Sequence, residues 1–249
     1  AAMMHLAIGT PMYGGQCSSL FSRSATALAL SLQKDGSKLT PIYLSNESLI
    51  HRARNTIAWH FLQTDASHLL FCDADTGFRV EDAARMVAAG KPIIIGPCPM
   101  KRIDWKRVAR AVKAGVPADQ LYRYTGIFNI THLPGTRSVS GDEPFEILRG
   151  GTGFMLIERR VFEELASHVS TYTNRNPGTA MPAGATVHHF FPSEVEDGDL
   201  RSEDYGLCDL WRKAGGTIWA APWCELQHMG DYAFSGVYRD SFAVAGFRE

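Results

Sequence analysis

The chain has 249 residues, 45% of them hydrophobic, and a formal net charge of −1. That is ample core for one large α/β domain. The balanced charge, without a long block of one sign, excludes the clustered basic face of a nucleic-acid binder, and no apolar run approaches the about 18 residues of a membrane span.

Five cysteines (17, 72, 98, 208 and 224) are scattered, with no Cys-x-x-Cys pair, which argues against a zinc site or a disulfide framework. Their apolar flanks read as a reducing cytosol. The opening "AAMMHLAIGT" lacks the basic and long apolar regions of a signal peptide.

Strand and helix patterns alternate over the first 100 residues. "HLAIG" (5–9) predicts a strand that runs into the loop "TPMYGG" (10–15). Residues 17–33 have helical spacing through Leu20, Phe21, Ala25, Leu28 and Leu32. "LTPIYL" (39–44) predicts a second strand and residues 45–65 a helix. "SHLLFC" (67–72) predicts a third strand, residues 79–90 a helix closed by Gly90, and "PIIIG" (92–96) a fourth strand. This order argues for a parallel sheet with helices on both faces. Further on, residues 103–115, 159–168 and 202–216 predict helices, the last with Ser202 as N-cap. "YRYTGIFNI" (122–130) and "FEILRGGTGFMLIE" (145–158) predict strands, the second interrupted by glycines. "TIWAAP" and "ELQHMG" are the last strand-like pieces, and residues 170–200 predict a long loop.

The chemistry concentrates in a few stretches. In "LLFCDADTGF" (69–78) an apolar strand ends in Asp73 and Asp75. Side chains at i and i+2 of a strand share a face. Paired carboxylates repel, and a divalent cation such as Mg²⁺ or Mn²⁺ between them and a phosphate resolves the repulsion; a polar turn is the plainer reading. Ligands of open α/β sheets bind beyond the carboxyl ends of parallel strands, where both this pair and the 10–15 loop fall. "HRARN" (51–55) offers Arg52 and Arg54 to a planar anion, or simply to solvent. Gly150, Gly151 and Gly153 mark either a bulge or the close approach of a ligand. Glu203 and Asp204 in a first helical turn complement the helix dipole, or supply a general base. His228 ends a strand, where an imidazole can complete a metal shell.

As an ordered set, "AIGTPMYGG", "SLIHRARN", "HLLFCDADTGF", "GGTGFMLIERRVFEEL", "SEDYGLCDLWRKAGG" and the late His228 resemble a GT-A glycosyltransferase, close to the small GT-A domains of bacteria, phages and chlorella viruses. The resemblance covers residues 5–100 and 148–232. It implies a mixed, mostly parallel α/β sheet in a single domain over 1–249, with a nucleotide-binding half (1–100) and an acceptor-side half (101–249). It also implies a cytoplasmic hexosyltransferase, or one peripheral to the inner membrane face. Thr10, Pro11, Met12, Tyr13, Arg52, Arg54, Asn55, Asp73, Ala74 and Asp75 would hold the nucleotide-sugar, a UDP-sugar first. Asp73, Asp75 and His228 would hold Mn²⁺ or Mg²⁺. Asp204, with Glu203 beside it, would be the base of an inverting transfer, and Gly151, Thr152 and Gly153 would sit at the donor–acceptor junction. The acceptor would be a glycan, a lipid-linked molecule or a small molecule.

The chain lacks the Gln-x-x-Arg-Trp motif of large processive members, which argues against polymer synthesis. Residues 101–145 match nothing in the family, and with 170–200 they are expected to shape the acceptor site. Three alternatives compete. An aspartyl phosphatase of the haloacid dehalogenase group needs Asp-x-Asp-x-Thr, and Gly77 stands where the Thr belongs. A nucleotidyltransferase needs a basic first loop, which "TPMYGG" is not. A non-catalytic module binding sugar nucleotides or carbohydrate is disfavoured by Asp75, Asp204 and His228 occurring together.

Overall fold

The computed structural model describes residues 3–136, 142–175 and 181–232. The first strand, β1 (His5–Met12), pairs in parallel with β2 (Lys38–Ser45) and β3 (His68–Cys72). Between them run α1 (Ser19–Lys34) and α2 (Ile50–Leu62). Helix α1 begins where Ser18 accepts the Phe21 N–H at 3.1 Å, and its Phe21, Ala25 and Leu28 recur at helical spacing and are buried. After β3 come the two-residue β4 (Thr76–Gly77), α3 (Val80–Ala88) and β5 (Ile93–Ile95).

The second half adds α4 (Trp105–Lys113), β6 (Ile130–His132), β7 (Phe145–Gly150), β8 (Phe154–Glu158) and α5 (Arg159–Leu165). Two small hairpins follow, β9 (Thr171–Thr173) with β10 (Thr186–His188) and β11 (Val195–Glu196) with β12 (Asp199–Leu200). The described chain closes with α6 (Glu203–Lys213), β13 (Ile218–Ala220) and β14 (Gln227–His228).

The expected class is what the structure has: a mixed, mostly parallel sheet with helices on both faces. Its order is β2-β1-β3-β8-β5-β13-β7-β6. All its strands but β7 and β8 point the same way. Strand alternation divides the core in two. Leu69, Phe71, Ile93 and Ile95 pack with α2, α5 and α6 on one face. Leu70, Cys72 and Ile94 pack with α1 and α3 on the other.

Strand β5 runs parallel to β3, as expected, but β8 lies antiparallel between them. The glycine-interrupted stretch 145–158 is two strands in separate places, and 151–153 is the turn that carries the chain between them. Two expectations are corrected. Residues 122–129 are not a strand, and of the expected segment only Ile130 enters one, β6. A 3₁₀ stretch covers Ala118–Tyr124, and the backbone beyond it is held by Met100 N–H donating to Ile127 O (2.7 Å) and Asp104 N–H to Thr125 O (2.9 Å). The 170–200 loop holds the two hairpins. The tighter one turns at Asp197-Gly198, both with positive φ (55° and 80°), the chemistry of a primed two-residue turn.

Gly206, inside α6, is tied to the fold by close approach. A Cβ there would drive into the Pro192 carbonyl oxygen. Alanine gains about 1 kcal/mol of helix propensity, but overpacking against backbone costs typically 1–3 kcal/mol or more. Gly206→Ala is expected to lower the melting temperature, measured by circular dichroism, in spite of its better propensity.

Candidate active site

Two adjoining cavities lie beyond the carboxyl ends of β1 and β3. The larger, about 640 Å³, is lined by Pro11, Tyr13, Gln16–Ser18, Glu47, Ser48, Ile50, Arg54, Asp73–Asp75 and His228. The smaller, about 270 Å³, is lined by Arg54, Asp73, Cys98–Lys101, Asn129, Gly151–Gly153, Asp204 and His228. Arg54, Asp73 and His228 belong to both, so the cavities share a wall.

Asp73 and Asp75 do not share a strand face. β3 stops at Cys72, and Thr76 N–H donates to Asp73 O (3.0 Å), so the pair lies in a turn. The two carboxylates have different partners. Asp73 Oδ1 accepts from Arg54 Nη2 at 3.2 Å. Asp75 Oδ2 accepts from Lys101 Nζ at 2.6 Å, and its Oδ1 lies 3.3 Å from His228 Nε2. Burial pushes the Asp75 carboxyl up, but the bonds from His228 and Lys101 outweigh it and hold it at about 2. The Asp75 contact, helped by Cys98, lifts His228 to about 10.

Arg54 is 4% exposed, deep in α2. Its Nε donates to Glu203 Oε1 at 3.0 Å, and its guanidinium lies 5.5 Å from the centre of the Phe71 ring. Burial works against its charge, but Asp73 and Glu203 overcome that and raise its pKa. Arg54 Nη1 and Thr152 Oγ1 are buried without a protein hydrogen-bond partner, so polar capacity is left at the cavity wall.

Asp204 sits in the first turn of α6. Its Oδ1 accepts from Tyr205 N–H at 2.8 Å and from the Ser202 hydroxyl. Ser202 occupies the N-cap position, yet its side chain caps no backbone N–H. The other oxygen, Oδ2, lies 3.4 Å from where a Gly151 Cβ would be, and Asn129 Nδ2 lies 2.7 Å from that point. The bare glycine therefore keeps open the gap between a carboxylate and an amide. Asn129 is oriented by Tyr205, whose hydroxyl donates to Asn129 Oδ1 at 2.9 Å. Burial raises the Asp204 pKa, with Glu203 adding to it, against the lowering effect of the Ser202 bond. Asp204 has the position and basicity of a general base toward whatever enters the gap.

A divalent cation needs ligands that have given up their protons. His228 Nδ1 lies 2.8 Å from Pro99 O. With Nδ1 donating to that carbonyl, Nε2 faces Asp75 with its proton, and a cation would have to displace that proton before Nε2 could ligate it. Carboxylate plus imidazole fits Mn²⁺ or Mg²⁺, with Lys101 as the cation to be displaced. Asp73 is turned to Arg54, and among the described residues no group of three or more His, Cys, Asp or Glu is gathered for a metal. Two protein ligands and substrate oxygens are the arrangement this site can offer.

The other expected residues separate into those on the cavity walls and those off them. Pro11, Tyr13 and Ala74 line the larger cavity and Thr152 the smaller. Thr10 and Met12 are buried under the loop, off both linings. Arg52 is held by Glu47 through two bonds of 2.6 and 2.7 Å, and only Glu47 reaches the wall. Asn55 is buried behind the site, where it bonds His189 (3.0 Å) and Phe191 N–H (3.2 Å). Glu203 meets Arg54 and is not on a cavity wall. Residues 16–18, Lys101 and Asn129 are additions. The signal that points to Ser18 is a serine just ahead of a helical run, where it caps α1. Lys101 and Asn129 lie in the stretch that carried no motif.

No family model matches the chain, and no curated protein matches it. Among solved structures it is similar to A197 from STIV (14% identity, 92% of this chain and 87% of that one, TM-score 0.49). It is also similar to GalNAc-T7 with UDP, GalNAc and Mn²⁺ (12% identity, 91% and 44%, 0.49) and to S. aureus TarS 1–349 in complex with UDP-GlcNAc (13% identity, 94% and 62%, 0.41). The chain spans under half of the GalNAc-T7 chain. At these identities and TM-scores the likenesses carry no argument about the site or its chemistry.

Removing one partner of a buried ion pair costs about 3–5 kcal/mol, because the other charge is stranded. Arg54→Met is expected to lose stability of that order in urea unfolding, and Arg54→Met/Glu203→Gln to regain part of it. A single variant as stable as wild type would show that the pair is solvated.

Proposed function

We propose that the chain is a GT-A-type glycosyltransferase that moves a sugar from a nucleotide-sugar, a UDP-sugar first, onto an acceptor hydroxyl with inversion. The observation that carries this is the convergence of Asp204, Gly151–Gly153, Arg54, Asp73 and His228, separated in sequence by 19 positions (54 to 73) up to 174 (54 to 228) but on the walls of one cavity, which adjoins a second cavity of nucleotide size.

The roles follow from position. The nucleotide lies in the larger cavity, between Pro11, Tyr13 and Glu47 on one side and Asp73–Asp75 on the other. The N-terminus of α1, tied to the same turn by Ser18 N–H donating to Ala74 O (2.8 Å), turns its free N–H groups to the diphosphate. Asp75 and His228 would hold a divalent cation, and Asp73 would face the ribose or that cation. A bound Mn²⁺ or Mg²⁺ neutralises the charge that grows on the departing diphosphate. The donor sugar reaches the gap beside Gly151 and Thr152. Asp204 Oδ2 takes the proton of the acceptor hydroxyl as its oxygen attacks the anomeric carbon, and the bond to the diphosphate oxygen breaks. Ser202 and Tyr205 hold Oδ1, so the base needs no reorientation. Glu203 acts through Arg54, as a positioning residue. Residues 1–100 then form the nucleotide side and 101–249 the acceptor side of one domain.

A ligand at about 100 times its Kd adds roughly 2.7 kcal/mol of stability. Thermal melting with UDP, GDP, dTDP or CMP, each with and without Mn²⁺, is expected to show a manganese-dependent rise with UDP that Asp75→Ala abolishes. No rise with any nucleotide would sink the donor assignment.

Asp204 must be ionised to accept a proton. With a raised pKa, transfer should climb with pH through a midpoint above the ordinary aspartate range and then level. Asp204→Asn keeps the Tyr205 bond and removes a buried charge, so folding should persist at neutral pH while the transfer rate falls about 10²–10⁴-fold. Full transfer by a folded Asp204→Asn protein would remove the base.

A further inference from the structure

A third cavity, about 850 Å³, is larger than either of the two above. It lies across the two-stranded ribbon of β4 and β14, in which Gln227 pairs with Gly77 and His228 with Thr76. Neighbouring strand residues face opposite ways. His228 accordingly lines the first two cavities, and Gln227 and Gly77 line this one. Pro99 lines both this cleft and the reacting cavity, and its carbonyl meets His228.

Its walls have a definite chemistry. Phe78 and Trp223 are buried at its base, whereas Tyr122 (69% exposed) and Phe128 (42%) present open ring surface. The Phe128 segment is fixed in place: its backbone bridges to Pro99, and Ile127 O accepts from Met100 N–H at 2.7 Å. The rim is charged but balanced, three arginines (Arg23, Arg79, Arg123) against Glu81, Asp142 and Glu225. The central pairs are already made, Arg123 to Glu225 at 3.0 Å and Arg79 to Glu225 at 3.5 Å. Among the described residues a phosphate or a polyanion would find no surplus positive charge here. A neutral polyhydroxylated chain fits better. Its C–H faces stack on rings, and its hydroxyls donate to carboxylates and accept from guanidinium groups and amides.

We propose that this cleft is a second saccharide-binding site, which holds the neutral oligosaccharide part of the acceptor or product while its reacting end lies across the ribbon beside Asp204. The word acceptor rests on the transferase reading; saccharide binding rests on the cleft alone.

The test uses the full chain and an immobilised panel of neutral oligosaccharides, made of glucose, mannose, galactose and N-acetylglucosamine oligomers, with a peptide array beside it. The tightest oligosaccharide is then titrated calorimetrically. Binding of at least one neutral series is expected, weakened about fivefold or more by Tyr122→Ala and by Phe128→Ala, as loss of a stacking ring implies. Both rings are exposed, so folding should survive, and an unchanged UDP–Mn²⁺ melting shift would verify that. Leu200→Ala, an exposed side chain off all three linings, should leave oligosaccharide affinity as it was. The proposal is overturned if no oligosaccharide binds, if both ring truncations leave affinity unchanged, or if only peptides bind. A nucleotide shift without oligosaccharide binding would remove the cleft and keep the transferase. Oligosaccharide binding without a nucleotide shift would do the reverse.

Discussion

The site is built around one buried cation. Arg54 sits in the middle of α2 with almost no access to water, a position that costs several kcal/mol for a lone ion. Two carboxylates meet that cost, Asp73 from the turn after β3 and Glu203 from the first turn of α6. Three segments far apart in sequence are thereby brought to one point. Because Asp73 and Glu203 each stand one or two positions from a second acid, fixing Arg54 also sets where Asp75 and Asp204 stand. The ion pairs act less as a source of stability than as a means of registering the two halves of the sheet against each other.

Around that point the charges are sorted by environment. Asp75, with a lysine and a histidine beside it, is kept ionised, as suits a cation ligand. Asp204, buried and with a glutamate beside it, is made more basic, as suits a proton acceptor. The same side chain acquires two different acidities because its surroundings differ. Glycine has the complementary effect: at 151 the missing side chain leaves room between the Asn129 amide and the Asp204 carboxylate.

Much of this was legible in the sequence. The apolar periodicity of 5–100 located the strands and helices, since those segments bury one face or both and the pattern records it. The acids at 73, 75 and 204, Arg54, the glycines and His228 stood out because each is costly or unusual where it falls. Arg52 and Asn55 were equally visible, yet one is held by Glu47 and the other braces the 189–191 segment. Helical spacing puts residues on a face but does not say what the face meets. Strand order was hidden as well, because β8 enters the sheet through long-range pairing that no local pattern encodes. Lys101, Asn129 and the aromatic cleft were missed for a related reason. They lie on irregular backbone held by scattered hydrogen bonds, and irregular backbone has no period to read.

The antiparallel β8 also has a consequence for how the chain is made. Strands β1, β2 and β3 can associate once Cys72 has left a ribosome, but β3 then presents an open edge of Leu69, Leu70 and Phe71. Its partner, residues 154–158, arrives only after some eighty more residues are synthesised, and β5 waits for the same partner. At elongation rates of about 5–20 residues per second, that leaves an apolar edge strand unpaired for seconds, the kind of exposure that invites intermolecular pairing. Fast production at high temperature should therefore yield more aggregate than slow production in the cold, whatever the stability of the finished fold.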